Sequence, residues 1–230
     1  MKLEPEVAYL LGALRDSTID IRKGKNYEIK IAQKESEWLS VLQKIFLKHF
    51  NNSGKITQHS KGAKILRITG KETVYKVLEI SQMQVPQVKW NTPKIIEEQK
   101  NLIQLQYLKG FFDAEGGLPR DPKTAKQKYI SFSQKNKQSL EFLRILLIEN
   151  GFRPTNLTIC GGVWEFRLTR KNDIANFSIK IGSLHKDKQR KLKILERAYF
   201  PQFGGGALPG VEAAVQLDST PGTLPWKTAE

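Results

Sequence analysis

The sequence repeats itself at a spacing of about 100 residues. "IKIAQKESEWLSVLQKIF" from Ile29 and "ISFSQKNKQSLEFLRILL" from Ile130 share a strand-like start, a Gln-Lys pair and an amphipathic helix. Gln33 aligns with Gln134, Leu39 with Leu140 and Leu42 with Leu143, each 101 positions apart. "LRITGKETVYKVL" from Leu66 aligns with "FRLTRKNDIANFS" from Phe166 at a spacing of 100. Each copy is preceded by an apolar helix containing a glycine, "VAYLLGALRD" and "LQYLKGFFDAEGG", with Gly12 and Gly110 98 apart. A repeat of this kind restricts the fold to two copies of one supersecondary unit. The drift in spacing is what loops of unequal length produce.

Hydrophobic period gives the elements of one unit. Pro5 suits the first turn of a helix running to about Leu14. In "TIDIR" and "NYEIKIAQ", Ile19, Ile21, Tyr27, Ile29 and Ile31 alternate with Asp20, Arg22, Glu28 and Lys30. That pattern predicts an antiparallel hairpin with one apolar and one charged face. A helix over 36–50 turns Trp38, Val41, Leu42, Ile45 and Phe46 inward. Strands "KITQHS" and "KILRIT" and a helix from Lys71 to about Ile80 complete the unit. The second half repeats the order, although only one strand is plain between Gly116 and Gln134, and a partner is expected within "LPRDPKTAKQK". The expected fold class is α+β: two pseudo-symmetric α-β-β-α-β-β-α repeats, over 1–98 and 99–202, whose antiparallel sheets form a saddle.

Charge points to the partner. Lysine and arginine total 38 against 23 acids, a formal charge of +15. Residues 203–230 hold one lysine and three acids, which leaves 37 and 20 for residues 1–202. A body this basic suits a polyanion, most commonly nucleic acid. The Gly- and Pro-rich 203–230 segment has no clear period and is predicted to be a disordered tail. A single cysteine, Cys160, excludes an internal disulfide. No run approaches 18 apolar residues, so no membrane helix is expected. The N-terminus lacks a signal-peptide pattern, and the expected setting is cytoplasmic (prokaryotic) or an organellar matrix. The three histidines, His49, His59 and His185, do not cluster as zinc ligands, and no Gly-rich nucleotide loop is present.

"LKGFFDAEGG", Leu108 to Gly117, ends an apolar helix on two acids, Asp113 and Glu115. The helix dipole disfavours acids at that end by several tenths of a kcal/mol, so the arrangement suggests a use. A glycine-containing helix ending in acid-x-acid-glycine, found twice and each time leading into this element order, resembles the LAGLIDADG homing endonucleases. "LKGFFDAEG" fits the nine-residue motif, with Glu115 in its acidic eighth position. The strand-ending Gln-Lys pairs and "IGSLHKDKQRKL" also resemble the family. The resemblance covers residues 1 to about 200. It implies a monomeric, Mg²⁺-dependent enzyme that makes a double-strand break in a long asymmetric duplex DNA site. It further implies that the motif helices pack side by side, with Gly12 and Gly110 at the contact, and bring one acid from each half to a shared cation. Gln33, Gln134 and Lys188 are implied to line that centre, with Lys186, Arg190 and Lys191 as alternatives to Lys188. Gly116 and Gly117 are expected to leave the helix with positive φ.

The first copy departs from the motif as "LLGALRDST". Aligned on Gly12, the acid position falls on Ser17; aligned on the acid, Asp16 matches Glu115. One residue is about 100° of helix rotation, so both alignments hold only if the last turn tightens toward 3₁₀. Asp16 is taken as the second acid, with Ser17 as the alternative.

The charged hairpin faces are the expected reading surface, because a two-stranded ribbon fits the DNA major groove. The candidates are Arg22, Glu28, Lys30, Lys55, Thr57, His59 and Lys64 in the first half. In the second half they are Lys128, Ser131, Ser133, Asn156, Thr158, Glu165 and Arg167. No splicing residues frame the chain, so an intron-encoded origin is expected. The rival from another class is a non-cleaving binder on the same fold, such as a maturase acting on intron RNA. A basic structural or ribosome-associated protein is a third.

Overall fold

Pro5 occupies the first turn of α1 (Pro5–Ala13), where its missing N–H has no helical partner to lose. The computed structural model describes residues 3–22, 26–59, 62–85 and 91–199; the tail expected at 203–230 lies outside them. β1 (Ser17–Arg22) and β2 (Asn26–Gln33) pair antiparallel, with Ile19 opposite Ile29 and Asp20 opposite Glu28. α2 (Ser36–Phe50) buries Trp38, Leu39, Leu42, Ile45 and Phe46. β3 (Lys55–Gln58) and β4 (Lys64–Thr69) complete a sheet of order β1-β2-β4-β3, and α3 (Lys71–Ser81) closes the first unit.

A short α4 (Lys94–Glu97) leads into α5 (Asn101–Glu115). Then come β5 (Ile130–Gln134), α6 (Lys137–Glu149), β6 (Thr158–Cys160), β7 (Val163–Leu168) and α7 (Lys171–Lys180). α8 (Lys186–Tyr199) follows. The second sheet has order β5-β7-β6. The strand expected within "LPRDPKTAKQK" is absent there. Pro119 and Pro122 offer no N–H to a ladder, and Asp121 folds its segment into a turn by accepting from Lys123 N and Thr124 Oγ1. Only a bridge, Gly117 to Ser131, marks the place.

One buried apolar cluster runs through both units. Its centre is the contact between α1 and α5. A Cβ on Gly12 would lie 2.6 Å from the Phe111 nitrogen and closer still to the Tyr107 carbonyl oxygen. A Cβ on Gly110 would lie 2.8 Å from the Tyr9 carbonyl carbon and closer still to its oxygen. Both helix backbones therefore touch, and only hydrogen fits between them.

The pair is also crossed by polar bonds that obey the repeat. Tyr9 on α1 donates to Asp113 Oδ2 at 2.6 Å, and Arg15 Nε donates to Tyr107 on α5 at 3.0 Å. Tyr9 and Tyr107 are 98 apart, as are Arg15 and Asp113, so each tyrosine meets the charged residue of the opposite helix. Trp38 Nε1 donates to the Tyr9 hydroxyl at 2.6 Å, while Arg15 also reaches Ser139 Oγ at 3.0 Å.

Replacing a mid-helix glycine by alanine ordinarily stabilises a helix by about 1 kcal/mol. Here the sign reverses: Gly12→Ala and Gly110→Ala are each expected to destabilise the protein by about 3 kcal/mol. Thermal unfolding measures this as a melting temperature lower by about 6–12 °C. A melting temperature that rises in either variant would refute the backbone contact.

Candidate active site

The ends of α1 and α5 bring Asp16 and Glu115 to equivalent places. Lys30 and Ser131 occupy matching positions, 101 apart. Lys30 pairs with Thr18, and Ser131 bridges to Gly117. Two residues before each paired position stand Asp16 and Glu115. The helices reach them differently. Three residues separate Gly12 from Asp16, and four separate Gly110 from Glu115. Leu14–Asp16 form a 3₁₀ turn, whereas α5 stays α-helical to Glu115. One α step and three 3₁₀ steps carry Gly12 to Asp16, five α steps carry Gly110 to Glu115, and both advance about 7.5 Å. The 3₁₀ turn thus absorbs the missing residue. Ser17 instead caps that turn, its hydroxyl donating to the Leu14 carbonyl at 2.6 Å.

Gly116 corrects the expected helix exit. Its φ is −66° and ψ 142°, and Gly117 is not left-handed either. Size is what matters. A Cβ on Gly116 would lie 2.6 Å from the Phe112 carbonyl oxygen, and one on Gly117 would collide with the Ser131 hydroxyl.

Around the two acids the repeat places two amides. Gln33 and Gln134 close β2 and β5 on the faces that carry Ile31 and Phe132, so both point back to the helix ends. Gln33 Nε2 donates to Asp16 Oδ2 at 2.7 Å, and Gln134 Nε2 to Glu115 Oε1 at 3.3 Å. Lys188 on α8 donates to the carbonyls of Phe112 at 2.7 Å and Asp113 at 3.0 Å. Its neighbours are engaged elsewhere: Lys186 with Glu37, and Arg190 and Lys191 with Asp187.

These groups share an electrostatic environment. Burial, and then the charge of Asp16, push the Glu115 carboxyl up to about 7. Lost solvation also raises the Asp16 carboxyl, although its side chain reaches solvent, and Gln33 and Lys188 oppose the rise. Burial lowers the Lys188 ammonium to about 8, against the pull of Asp113, Asp16 and Glu115. Two carboxylates that penalise each other's ionisation fit a hard divalent cation. Among the described residues no group of three or more His, Cys, Asp and Glu side chains is placed to hold a metal. A cation here would draw Asp16 and Glu115 from the protein and fill its shell with water or phosphate, which is the habit of Mg²⁺.

Asp113 does not join them. It is fully buried and accepts from Tyr9, from Leu184 N at 2.8 Å and from Ser183 Oγ. It thereby fixes the turn that starts α8. The first unit holds that turn too. Glu35 accepts from Asp187 N at 2.9 Å, its carboxylate lies 2.9 Å from His185 Nδ1, and Trp38 packs on the His185 ring.

Above the centre, Lys30, Arg67 and Lys55 form a cross-strand row beginning at exposed Thr18. Arg22 is exposed and pairs with Asp20 at 3.1 Å. Thr57 and His59 continue outward from Lys55, both exposed. Two expectations in this half need correction. Glu28 is buried, capped by Lys30 at 3.0 Å and Arg67 at 2.8 Å, and serves as their anchor. Lys64 pairs opposite Gln33 and Gln58, in the row of Leu66 and Ile68 and off the charged face. In the second sheet Arg167, Glu165 and Thr158 share the outer face with Ser133, which donates to Glu165 at 3.3 Å. Ser131 is on that face but buried under the bridge to Gly117, which removes it from the surface. Lys128 lies over the Tyr199 ring, and Asn156 accepts from Arg144 at 3.1 Å. Arg67 was not among the sequence candidates, although its spacing of 100 from Arg167 marks it.

Over 221 residues the chain is 30% identical to homing endonuclease I-ApeI of Aeropyrum pernix, covering 90% of this chain and 96% of the relative. The chain belongs to the LAGLIDADG homing endonuclease family. A LAGLIDADG-like domain model matches residues 103–182, the half with the complete motif. Solved structures share the fold. I-DmoI in complex with DNA and Mn superposes with a TM-score of 0.58 at 23% identity, covering 79% of this chain and 98% of that one. I-WcaI bound to its DNA recognition sequence gives 0.60 at 16% identity, covering 82% and 88%. The homing-endonuclease fold thus accounts for the twin sheets, the touching helices and the acid at the end of each.

Glu115 titration sets a pH dependence. Its carboxyl has an ordinary value of 4.5 and is held near 7 in the folded protein. Below pH 4.5 it is neutral in both states. Between about 4.5 and 7 the unfolded chain loses the proton first, so stability falls as pH rises; above about 7 the loss is complete. Glu115→Gln removes this penalty. The variant is expected to match the wild type at pH 4 and exceed it by about 1–3 kcal/mol at pH 8, as measured by urea unfolding without divalent cations. An equal difference at both pH values would show that Glu115 carries no such penalty.

Proposed function

We propose that this protein is a monomeric site-specific DNA endonuclease that makes a divalent-metal-dependent double-strand break in a long asymmetric duplex. The observation that carries the reading is the meeting of Asp16 and Glu115 at the ends of two touching helices, beneath the two sheets. I-ApeI is a homing endonuclease, and the I-DmoI structure with DNA and Mn supports a divalent cation in such a centre. The asymmetry of the target follows from unlike surfaces: four strands with the Lys30–Arg67–Lys55 row on one side, three strands with Arg167 and Glu165 on the other.

Within the centre each residue has a definable task. A bound Mg²⁺ would supply Lewis-acid stabilisation of the phosphodiester and lower the pKa of a coordinated water. Asp16 and Glu115 would hold it, one from each repeat. Gln33 and Gln134 orient those carboxylates by donating to one oxygen of each, which leaves the second oxygen free to face the centre. Lys188 spends two N–H bonds on α5 carbonyls and keeps the third for a phosphate oxygen or water. Burial keeps its ammonium poised near neutrality.

The reading is tested with a plasmid library of candidate insertion sites, incubated with protein and Mg²⁺. Discrete breaks are expected, lost by about 10³-fold or more in Asp16→Asn and in Glu115→Gln while DNA binding persists. Ser17→Ala is expected to cut normally. Cutting that survives Asp16→Asn and fails in Ser17→Ala would overturn the assignment. Tight binding to intron RNA without cutting would establish the maturase instead. Binding should also weaken steeply with salt, because lysines on phosphates release counterions.

A further inference from the structure

Arg67 and Arg167 are equivalent in the repeat, 100 apart, and project from matching places on the two sheets. Arg67 stands opposite Lys30 and Arg167 opposite Ser131, which themselves align 101 apart. Each arginine is half-exposed and each is tethered at its base. Arg67 Nη1 bonds Glu28 Oε1 at 2.8 Å, and Arg167 Nε bonds Glu165 Oε1 at 2.6 Å. The tethers differ in kind. Glu28 comes from the neighbouring strand, is 6% exposed in its side chain, and also binds Lys30 and Asn26. Glu165 lies two residues back on the same strand, and the Arg167 guanidinium also stacks on Tyr129, 4.7 Å from the ring centroid.

A lone arginine on a sheet surface that only neutralises phosphate needs no such fixing. A tether costs charge that would otherwise attract the backbone of DNA. What it provides is orientation: the guanidinium loses rotamer freedom before the ligand arrives. Each tether also leaves a two-donor edge of the fork. Arg67 keeps Nε–H and Nη2–H, and Arg167 keeps its Nη1–H and Nη2–H pair. A planar two-donor edge held in a fixed direction matches O6 and N7 of guanine in the major groove.

We infer that Arg67 and Arg167 are specificity-determining residues, each reading one guanine, with Glu28 and Glu165 as their positioning partners. The inference rests on the DNA reading of this surface and deepens it. Because the two units are related by pseudo-twofold symmetry, the guanines lie on opposite strands at about equal distances from the centre of the site. On one strand the target therefore carries a guanine on one side and a cytosine at the mirrored position. Neighbouring positions need not mirror, since Lys30 faces one half and Ser131 is buried in the other.

The test uses the full chain and selection by binding from a randomised duplex library, with sequencing of the retained DNA. The wild type is expected to enrich the mirrored G and C. Arg67→Gln is expected to lose about tenfold of the guanine preference on one side only, and Arg167→Gln on the other side only. Arg67→Lys keeps the charge but not the planar fork, and is expected to retain overall affinity with a weaker guanine preference. Glu28→Gln is expected to weaken the same position as Arg67→Gln and leave the mirrored one intact. If Arg67→Gln and Arg167→Gln each enrich the wild-type sequence unchanged, the inference fails and the endonuclease reading stands. If the wild type enriches no sequence at all, both fail together.

Discussion

Two helix backbones in van der Waals contact at Gly12 and Gly110 set the position of everything else. Side chains of ordinary size would hold α1 and α5 a helix diameter apart, and the acids at their ends would then belong to separate surfaces. Hydrogen-only contact draws the ends together. The cost of two mid-helix glycines, about 1 kcal/mol each relative to alanine, is offset by apolar burial around the pair and by the crossed Tyr9–Asp113 and Tyr107–Arg15 bonds. Those bonds also fix rotation. A helix pair free to roll about its contact would swing Asp16 and Glu115 apart, and each tyrosine prevents this by gripping the last turn at the partner helix's end.

The centre so formed is electrostatically uncomfortable without a cation. Glu115 is held partly neutral, Asp16 is raised, and the Lys188 ammonium is weakened by burial despite three acids nearby. Burial raises the Asp113 carboxyl as well. It is deeper than either, yet three donors satisfy it, and its work is to hold the turn leading to Lys188. Two carboxylates two residues apart in sequence thus have unlike roles, because two residues turn the helix by about 200° and point them to opposite sides.

Much of this was legible in the sequence, because it rests on period and repetition. The helices and hairpins follow from apolar spacing, and the family from "LKGFFDAEG" and its degenerate copy. Gln33 and Gln134 came from the family resemblance, with repeat spacing to match them. What escaped depended on contacts between elements distant in sequence. Alternation marks Glu28 as outward-facing, but it cannot reveal that Lys30 and Arg67 close over it. Lys64 follows a loop whose phase fixes its face, and phase is invisible before pairing is known. Ser131 lies beneath a bridge made by Gly117, which leads into a segment whose prolines deny it a full strand. The glycines after Glu115 look like conformational hinges in sequence; in space they are gaps that the Phe112 ring and the Ser131 hydroxyl fill.

α8 is the last described element of the chain, and it is anchored to the first unit through Glu35 and Glu37. A nascent chain that has emerged only as far as α7 already carries both acids, but not the ammonium that faces them. The centre is therefore completed only when α8 crosses back onto residues made near the beginning.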